Sequence, residues 1–395
     1  MSVPLVRVGE LAEQIRGVSY GKQDASNSQL PGYLPVLRAG NITDEGLVFS
    51  DLVFVPAERI SGKQRIRRYD VVIAASSGSI DVVGKAAPAL LDYDGGFGAF
   101  CKVLRPNAKI EPHYFAHFFK TRNYRQRVSG LAAGANINNL RNEDLDNLAI
   151  PLPPLPEQRR IADVLDRAEA LRAKRRAALA ELDELTQSVF LDMFGDPMLH
   201  QKKWKTCLLD EVTIKITDGT HKTPIYKDTG IEFLSAKDLK DGGIAWGTGK
   251  FISAEEHREL VKRCNPEVGD VLLAKSGSLG NVAIVDCAHQ FSLFESLCLI
   301  KLDRKLIEGQ YLIGLLRTPS MLAHLLGKNK GVAIKHLHLV DVRNLRIPLP
   351  PVMKQREFAE RVAAVERVKA VQRASLAELD ELFAALQQRA FRGEL

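Results

Sequence analysis

Between residues 157 and 194 the chain carries neither Pro nor Gly, and its apolar residues recur at three- and four-residue intervals. That period predicts one uninterrupted helix with a single apolar seam of Ile161, Leu165, Ala168, Leu171, Leu179, Leu182, Leu185 and Val189. A second run approaching the C-terminus offers Phe358, Val362, Val365, Val368, Leu376, Leu379, Leu382 and Leu386 at the same register. Arg175 and Gln372 interrupt the two seams at matching central positions. Each run is announced by a proline phrase: Ile-Pro-Leu-Pro-Pro-Leu-Pro-Glu-Gln-Arg-Arg from Ile150, and Ile-Pro-Leu-Pro-Pro-Val-Met-Lys-Gln-Arg-Glu from Ile347. The offset of 197 residues holds without a gap, taking Gln158 to Gln355, Arg159 to Arg356, and Ala-Glu-Leu-Asp-Glu-Leu at 180–185 to 377–382. Two equal helices therefore divide the chain into two equivalent halves.

Local chemistry supports the boundaries. Pro154 and Pro156 suit a first turn, where a missing N–H costs nothing, and Glu157 suits the positive end of the helix dipole. Gly195, with Pro197 beyond it, ends the run. Some 38 residues at about 1.5 Å each make a rod of roughly 57 Å. One seam per helix with polar flanks predicts that the two pack as a coiled coil. Antiparallel is the expected orientation, because each helix follows its own domain in a pseudo-symmetric chain.

The segments before the helices read differently. In residues 1–150, Leu34–Arg38, Leu47–Phe49, Leu52–Val55 and Asp70–Ala75 are short, β-branched and bounded by Gly, Asn, Asp and Ser, the marks of strands. Residues 112–128 have helical spacing and a Pro start. Residues 198–346 repeat this plan with drift. Asp270-Val-Leu-Leu-Ala followed by Ser276-Gly277-Ser278 matches Asp70-Val-Val-Ile-Ala followed by Ser77-Gly78-Ser79, one residue apart in spacing. The expected fold class is α+β: two similar mixed-strand domains, 1–150 and 197–347, alternating with long helices at 151–196 and 348–395.

Composition adds constraints. The chain has 395 residues, 45% hydrophobic, with no apolar run near the roughly 18–20 residues that span a bilayer. Met-Ser-Val-Pro-Leu-Val-Arg lacks the features of a signal peptide, and the five cysteines form no Cys-x-x-Cys pair, so reduced thiols in the cytoplasm are expected. The net charge of +7 sits in the globular segments: +3 in 1–150 and +4 in 196–347, against −1 and +1 in the two helical stretches. A polyanionic partner would meet the globular parts.

A search for catalytic chemistry is nearly empty. The sequence holds no phosphate-binding Gly-x-x-x-x-Gly-Lys loop, no Gly-x-Gly-x-x-Gly fingerprint and no Asn/Asp-Pro-Pro-aromatic motif of an amino-methyltransferase. His113 and His117 stand at i, i+4 but lack the Glu of a zinc-protease helix, so no metal site is expected. Polar loops after equivalent strands are the better candidates, because Lys and Arg seek phosphates while Arg, Gln, Asn and Ser read base edges. In the first domain these are Lys22, Gln23, Arg38, Asn41, Arg65, Arg67, Arg68, Ser77, Ser79, Asn136 and Asn138. In the second they are His221, Lys222, Thr223, Lys237, Lys275, Ser276, Ser278, Lys330 and Lys335.

The two proline phrases, each opening a long helix, resemble the spacer-helix starts of specificity subunits of type I restriction–modification systems, and Asp270-Val-Leu-Leu-Ala-Lys-Ser-Gly-Ser resembles a segment of their target recognition domains. The resemblance spans essentially the whole chain; Met353-Lys354 depart from the first phrase's Pro156-Glu157. It implies a non-catalytic reader of double-stranded DNA, one half of a split, asymmetric site per domain, with the helix pair setting the gap. It further implies two methyltransferase subunits, which bring S-adenosylmethionine to an adenine, and motor–nuclease subunits, which bring ATP and Mg²⁺. No cofactor is expected on this chain. The competing readings are a coiled-coil assembly scaffold that does not touch DNA and a self-contained DNA-modifying enzyme.

Overall fold

The computed structural model describes residues 3–79, 81–132, 139–199, 202–240, 243–247, 249–327 and 336–395. By its contacts the chain forms two compact units, Met1–Arg176 with Ala374–Leu395, and Ala177–Arg373. Each unit holds one mixed-strand body and one half of each long helix, Leu155–Phe194 and Val352–Ala390.

In the first unit, four antiparallel strands lie in the order Ala12–Arg16, Cys101–Pro106, Val71–Ala74, Ala86–Pro88. A three-stranded sheet, Val53–Pro56, Tyr33–Leu37, Gly96–Phe97, has its last pair parallel. The expected Asp70–Ala75 is trimmed to Val71–Ala74, fully buried on both faces as its unbroken apolar run requires. Leu34–Arg38 and Leu52–Val55 are each displaced by one residue, and of Leu47–Phe49 only Leu47 is in a strand, Gly46–Leu47, paired with Ile42–Thr43. The helix expected over 112–128 is two helices, Pro112–Phe118 and Arg122–Ala132. Thr121 divides them, its hydroxyl donating to the Phe118 carbonyl (2.7 Å) and accepting from the Tyr124 N–H (3.2 Å), a local bond that competes with helix continuation.

The second unit has the same topology. Thr213–Asp218, Leu297–Leu302, Val271–Ala274 and Val282–Ile284 form the four-stranded sheet, and Lys250–Ile252, Ile231–Leu234 and Phe291–Leu293 the three-stranded one, again with its last pair parallel. In each unit a short strand pair ties the start of the body to the proline phrase: Leu5–Arg7 with Ala149–Pro151, and Thr206–Leu208 with Arg346–Pro348.

The repeated phrase is a joint. Gln158 is buried; its Oε1 accepts from the Glu111 N–H (2.8 Å) and its Nε2 donates to the Pro153 carbonyl (2.8 Å). Gln355 does the same with Glu308 (2.9 Å) and Pro350 (2.8 Å). Tyr114 donates its hydroxyl to the Pro151 carbonyl (2.8 Å), and Tyr311 to that of Pro348 (2.6 Å). These carbonyls precede the first helical turn and have no helical N–H partner, and the amide and phenol satisfy them.

In each unit the helix halves run antiparallel. The first core packs Ile161, Leu165 and Ala168 with Phe383 and Ala390; the second packs Phe190 and Phe194 with Phe358 and Val362. The seam differs in part from the expected one. Ile161, Leu165, Phe358 and Val362 are buried and Leu182, Val365 and Leu379 half-buried, but Leu171, Leu185 and Leu382 are 51%, 46% and 51% exposed. Strict heptad spacing explains the difference. Continued from Ile161, Leu165 and Ala168 it reaches Arg172, not Leu171; continued from Phe358, Val362 and Val365 it reaches Lys369 and later Phe383. Apolar type misplaced the seam because a neighbouring residue takes the inward position: Arg172 beside Leu171, Thr186 beside Leu185 and Phe383 beside Leu382.

Those charges are paired by repeat symmetry. Arg172 Nε donates to Asp380 (2.6 Å) and Arg172 also pairs with Glu169 (3.3 Å), while its guanidinium lies 4.4 Å from the centre of the Phe383 ring. Lys369 Nζ donates to Asp183 (2.6 Å) and Glu366 (2.6 Å). Under the 197-residue offset Glu169 becomes Glu366, Arg172 becomes Lys369, and Asp183 becomes Asp380. A polar layer within an apolar seam specifies register.

We expect a double-mutant cycle of Lys369→Met with Asp183→Asn to show about 1 kcal/mol of coupling in urea unfolding of the full chain, and the Arg172→Met, Asp380→Asn cycle a similar value. Zero coupling in both would remove this layer as a register device.

Candidate nucleic-acid interface

Four segments that leave the C-terminal ends of strands meet in the first unit: Val18–Tyr20, Arg38–Asn41, Ser76–Gly78 and Gly98–Cys101. With Val48, Ser50 and Asp51 they line an open cleft of about 1060 Å³. Its floor depends on a close backbone crossing, where the Val18 N–H donates to the Phe97 carbonyl (2.7 Å). A Cβ on Gly17 would lie 2.1 Å from the Gly98 carbonyl oxygen, so only glycine fits. Arg38 is held at the rim, its Nη2 donating to the Asp51 carbonyl (2.7 Å). Burial pushes the Tyr20 phenol above its usual value, with the Arg38 charge opposing the rise.

The second unit assembles the same four segments. Thr220 N–H donates to the Leu293 carbonyl (3.0 Å), and a Cβ on Gly219 would lie 2.0 Å from that oxygen, repeating Gly17. The Ser235 N–H donates to Asp238 Oδ2 (2.7 Å) as the Arg38 N–H does to Asn41 Oδ1 (2.9 Å). The Lys275 N–H donates to the Ser296 carbonyl (2.8 Å) as that of Ala75 does to Phe100 (2.9 Å). Ser276 bridges His336 where Ser76 bridges Asn139. Equivalent backbone thus carries different side chains: Tyr20, Arg38 and Phe100 in one unit stand where Lys222, Ser235 and Ser296 stand in the other.

This geometry sorts the candidates. Arg38 and Ser77 line the first cleft, and His221, Lys222, Lys237, Ser276 and Ser278 belong to the equivalent segments of the second unit. Thr223 is exposed just beyond them. Lys22 and Gln23 are exposed on the turn after Tyr20, and Ser79 follows the cleft residue Gly78. Arg65, Arg67 and Arg68 are exposed but precede Val71–Ala74, at the opposite end of that strand from Ser76–Gly78, where Arg65 pairs with Asp94 and Arg68 lies 4.6 Å from the Tyr69 ring centre.

Two candidates turn inward. Asn41 touches the cleft but is buried, donating to the Val48 (3.0 Å) and Ser50 (2.8 Å) carbonyls, and so shapes the Arg38 loop. Lys275 is 2% exposed, its Nζ on Asp218 Oδ2 (2.6 Å). Asn136, Asn138, Lys330 and Lys335 lie outside the described residues. Tyr20 and Phe100 also line the cleft and were not among the sequence candidates, because single aromatics in Gly- and Ser-rich loops carry no periodic signal; the paired glycines Gly17 and Gly219 were the available clue.

His113 and His117 have a structural partner: His113 Nδ1 and His117 Nε2 lie 2.8 and 2.7 Å from the two oxygens of Asp166 on the first long helix. Among the described residues no group of three or more His, Cys, Asp or Glu is arranged to hold a metal ion, and no helix is long and apolar enough to cross a membrane.

The family model for the type I restriction modification DNA specificity domain matches twice, over residues 3–181 and 201–381. The chain belongs to the type I restriction–modification specificity family. It is 30% identical to the specificity subunit of the type I restriction enzyme EcoKI from Escherichia coli strain K12, over 98% of this chain and 88% of that one. The StySPI specificity subunit from Salmonella potsdam is also 30% identical with the same coverage. A solved chain from a type I restriction–modification system shares the fold, with a TM-score of 0.51, 21% identity, and 99% and 98% of the two chains covered. As a specificity subunit the chain is the non-catalytic, DNA-recognising component of its complex.

Within this specificity subunit the second loop frame buries an ion pair, Lys275 with Asp218, where the first has Ala75 and Arg16. Burial raises the Asp218 carboxyl, but the hydrogen bond and charge of Lys275, with Arg263 and His221, outweigh it and hold the group below its ordinary value of 3.8. A depressed folded value means the stability is fully present above the unfolded value and is lost as pH falls through the folded one. Lys275→Ala is therefore expected to destabilise the chain by about 3 kcal/mol at neutral pH. The deficit should shrink as the solution is acidified below the ordinary carboxylate range; an equal deficit across that range, by urea unfolding, would refute the pairing's role.

Proposed function

We propose that this specificity subunit reads a split, asymmetric DNA site, with recognition domains 1–150 and 197–347 each taking one half and the helices 151–196 and 348–395 setting the gap. The observation that carries this reading is the duplicated loop frame: one backbone arrangement, built twice, with different side chains on it. Identical frames would bind duplex in the same manner, and different loop residues would select different bases. The excess positive charge of both globular segments supplies attraction for phosphates. A helix of forty residues is about 60 Å long, enough to separate half-sites by one duplex turn of about 34 Å.

Chemistry on the DNA belongs to partners in this reading. Two methyltransferase subunits carrying S-adenosylmethionine would flip and methylate an adenine in their own pockets, so this chain needs no such pocket. Motor–nuclease subunits using ATP and Mg²⁺ would join to cut unmodified DNA. The complex would work in the cytoplasm, beside that DNA.

Replacing residues 198–346 with the equivalent segment of another family member should change one half of the methylated site and leave the other half intact, read by mapping methylated adenines in host DNA. Change in both halves would overturn independent reading. The purified chain should bind duplex DNA with affinity that falls steeply with salt, yet neither modify nor cleave it when given Mg²⁺ and S-adenosylmethionine. Salt-insensitive or absent binding would favour a scaffold.

A further inference from the structure

Phe100 is an aromatic ring presented to solvent on a backbone that is tied down. Its carbonyl accepts from both the Ala75 and Ser76 N–H groups (2.9 and 3.0 Å). The preceding Gly98 donates its N–H to the Leu37 carbonyl (2.8 Å), and its carbonyl closes a turn with the Cys101 N–H (2.8 Å). The ring itself is 68% exposed at the cleft lip. Leaving so large an apolar group in water forgoes burial energy. Its cleft neighbours mix a cation and hydrogen-bonding groups, Arg38, Ser50 and Ser77, with the aromatic ring of Tyr20 and the side chain of Val48, and a base with its polar edges and apolar faces matches such a mixed lining.

The second unit removes this feature. Ser296 takes the equivalent place, is buried, and accepts the Ala236 N–H on its hydroxyl (3.0 Å). An exposed aromatic side chain on a rigid loop, lining the same cleft as a guanidinium, has the chemistry that inserts at a base step: the ring stacks on or wedges beside a base while the cation meets phosphate or base edge. We propose that Phe100 is a stacking wedge that partly unstacks one base step in the half-site read by the first domain, and that the second domain reads its half without one. This rests on the DNA-reading function above.

The test uses the full chain assembled with its methyltransferase subunits and duplexes carrying the mapped site. 2-Aminopurine is placed singly along each half, away from the methylated adenine, whose flipping would itself give a signal. Wild type should raise the fluorescence at one step of the first half-site and at none of the second. Phe100→Ala should abolish that rise and weaken binding about tenfold or more, with thermal unfolding little changed because most of the side chain is exposed. Phe100→Ser, the second unit's residue, should behave like alanine, and Phe100→Tyr should restore both signals. If wild type binds and Phe100→Ala matches it in affinity and fluorescence, the wedge is wrong while the DNA-reading function stands. If wild type shows no salt-dependent duplex binding, both fall.

Discussion

The charged layer where the two long helices meet is the constraint on which the architecture rests. An apolar seam alone tolerates sliding, since one leucine substitutes for another a heptad away. Arg172 against Asp380 and Lys369 against Asp183 do not tolerate it, because a shift would strand a buried or half-buried cation without its carboxylate. Each helix brings both a base and an acid, at positions related by the repeat, so the antiparallel pairing satisfies both helices at once. Lys369, almost wholly buried, would pay the most for a slip.

The second constraint couples that pair to the globular bodies. Gln158 and Gln355 each bind a proline carbonyl and a backbone N–H of the neighbouring helix start, and Tyr114 and Tyr311 bind a second carbonyl of the phrase. A helix joined through rigid prolines and buried hydrogen bonds transmits position, where a glycine linker would not. In the first unit the hold is reinforced by Asp166. Burial raises that carboxyl, but the hydrogen bond and charges of His117 and His113 reverse the direction and hold it below its ordinary value.

Against this fixed frame the loop side chains differ. Gly17 and Gly219 secure the same strand crossing in both units, and Asn41 and Asp238 hold the same loop. Where the frame is secure, the loop side chains are free to change, and they do: an arginine, tyrosine and phenylalanine in the first unit, a lysine and two serines in the second. Lys275 marks the limit of that freedom, since its charge is spent on Asp218 inside the fold.

The linear sequence determined the repeat, the two long helices, their proline joints, the α+β class and the family, because each leaves a periodic or exactly spaced mark that survives without knowledge of contacts. Tertiary structure alone decided which residues face which. Leu171, Leu185 and Leu382 look like seam residues by type but point outward, since the seam follows heptad geometry and not hydrophobicity. Asn41 and Lys275 look like readers but are buried, since a polar side chain meets solvent or a carbonyl according to how its loop folds back. Arg65–Arg68 and Ser77 are near neighbours in sequence, yet a strand rising about 3.3 Å per residue puts them at its opposite ends. Phe100 stands in a loop with no pattern to announce it, and only the strands brought together around it turn an isolated aromatic into a presented one.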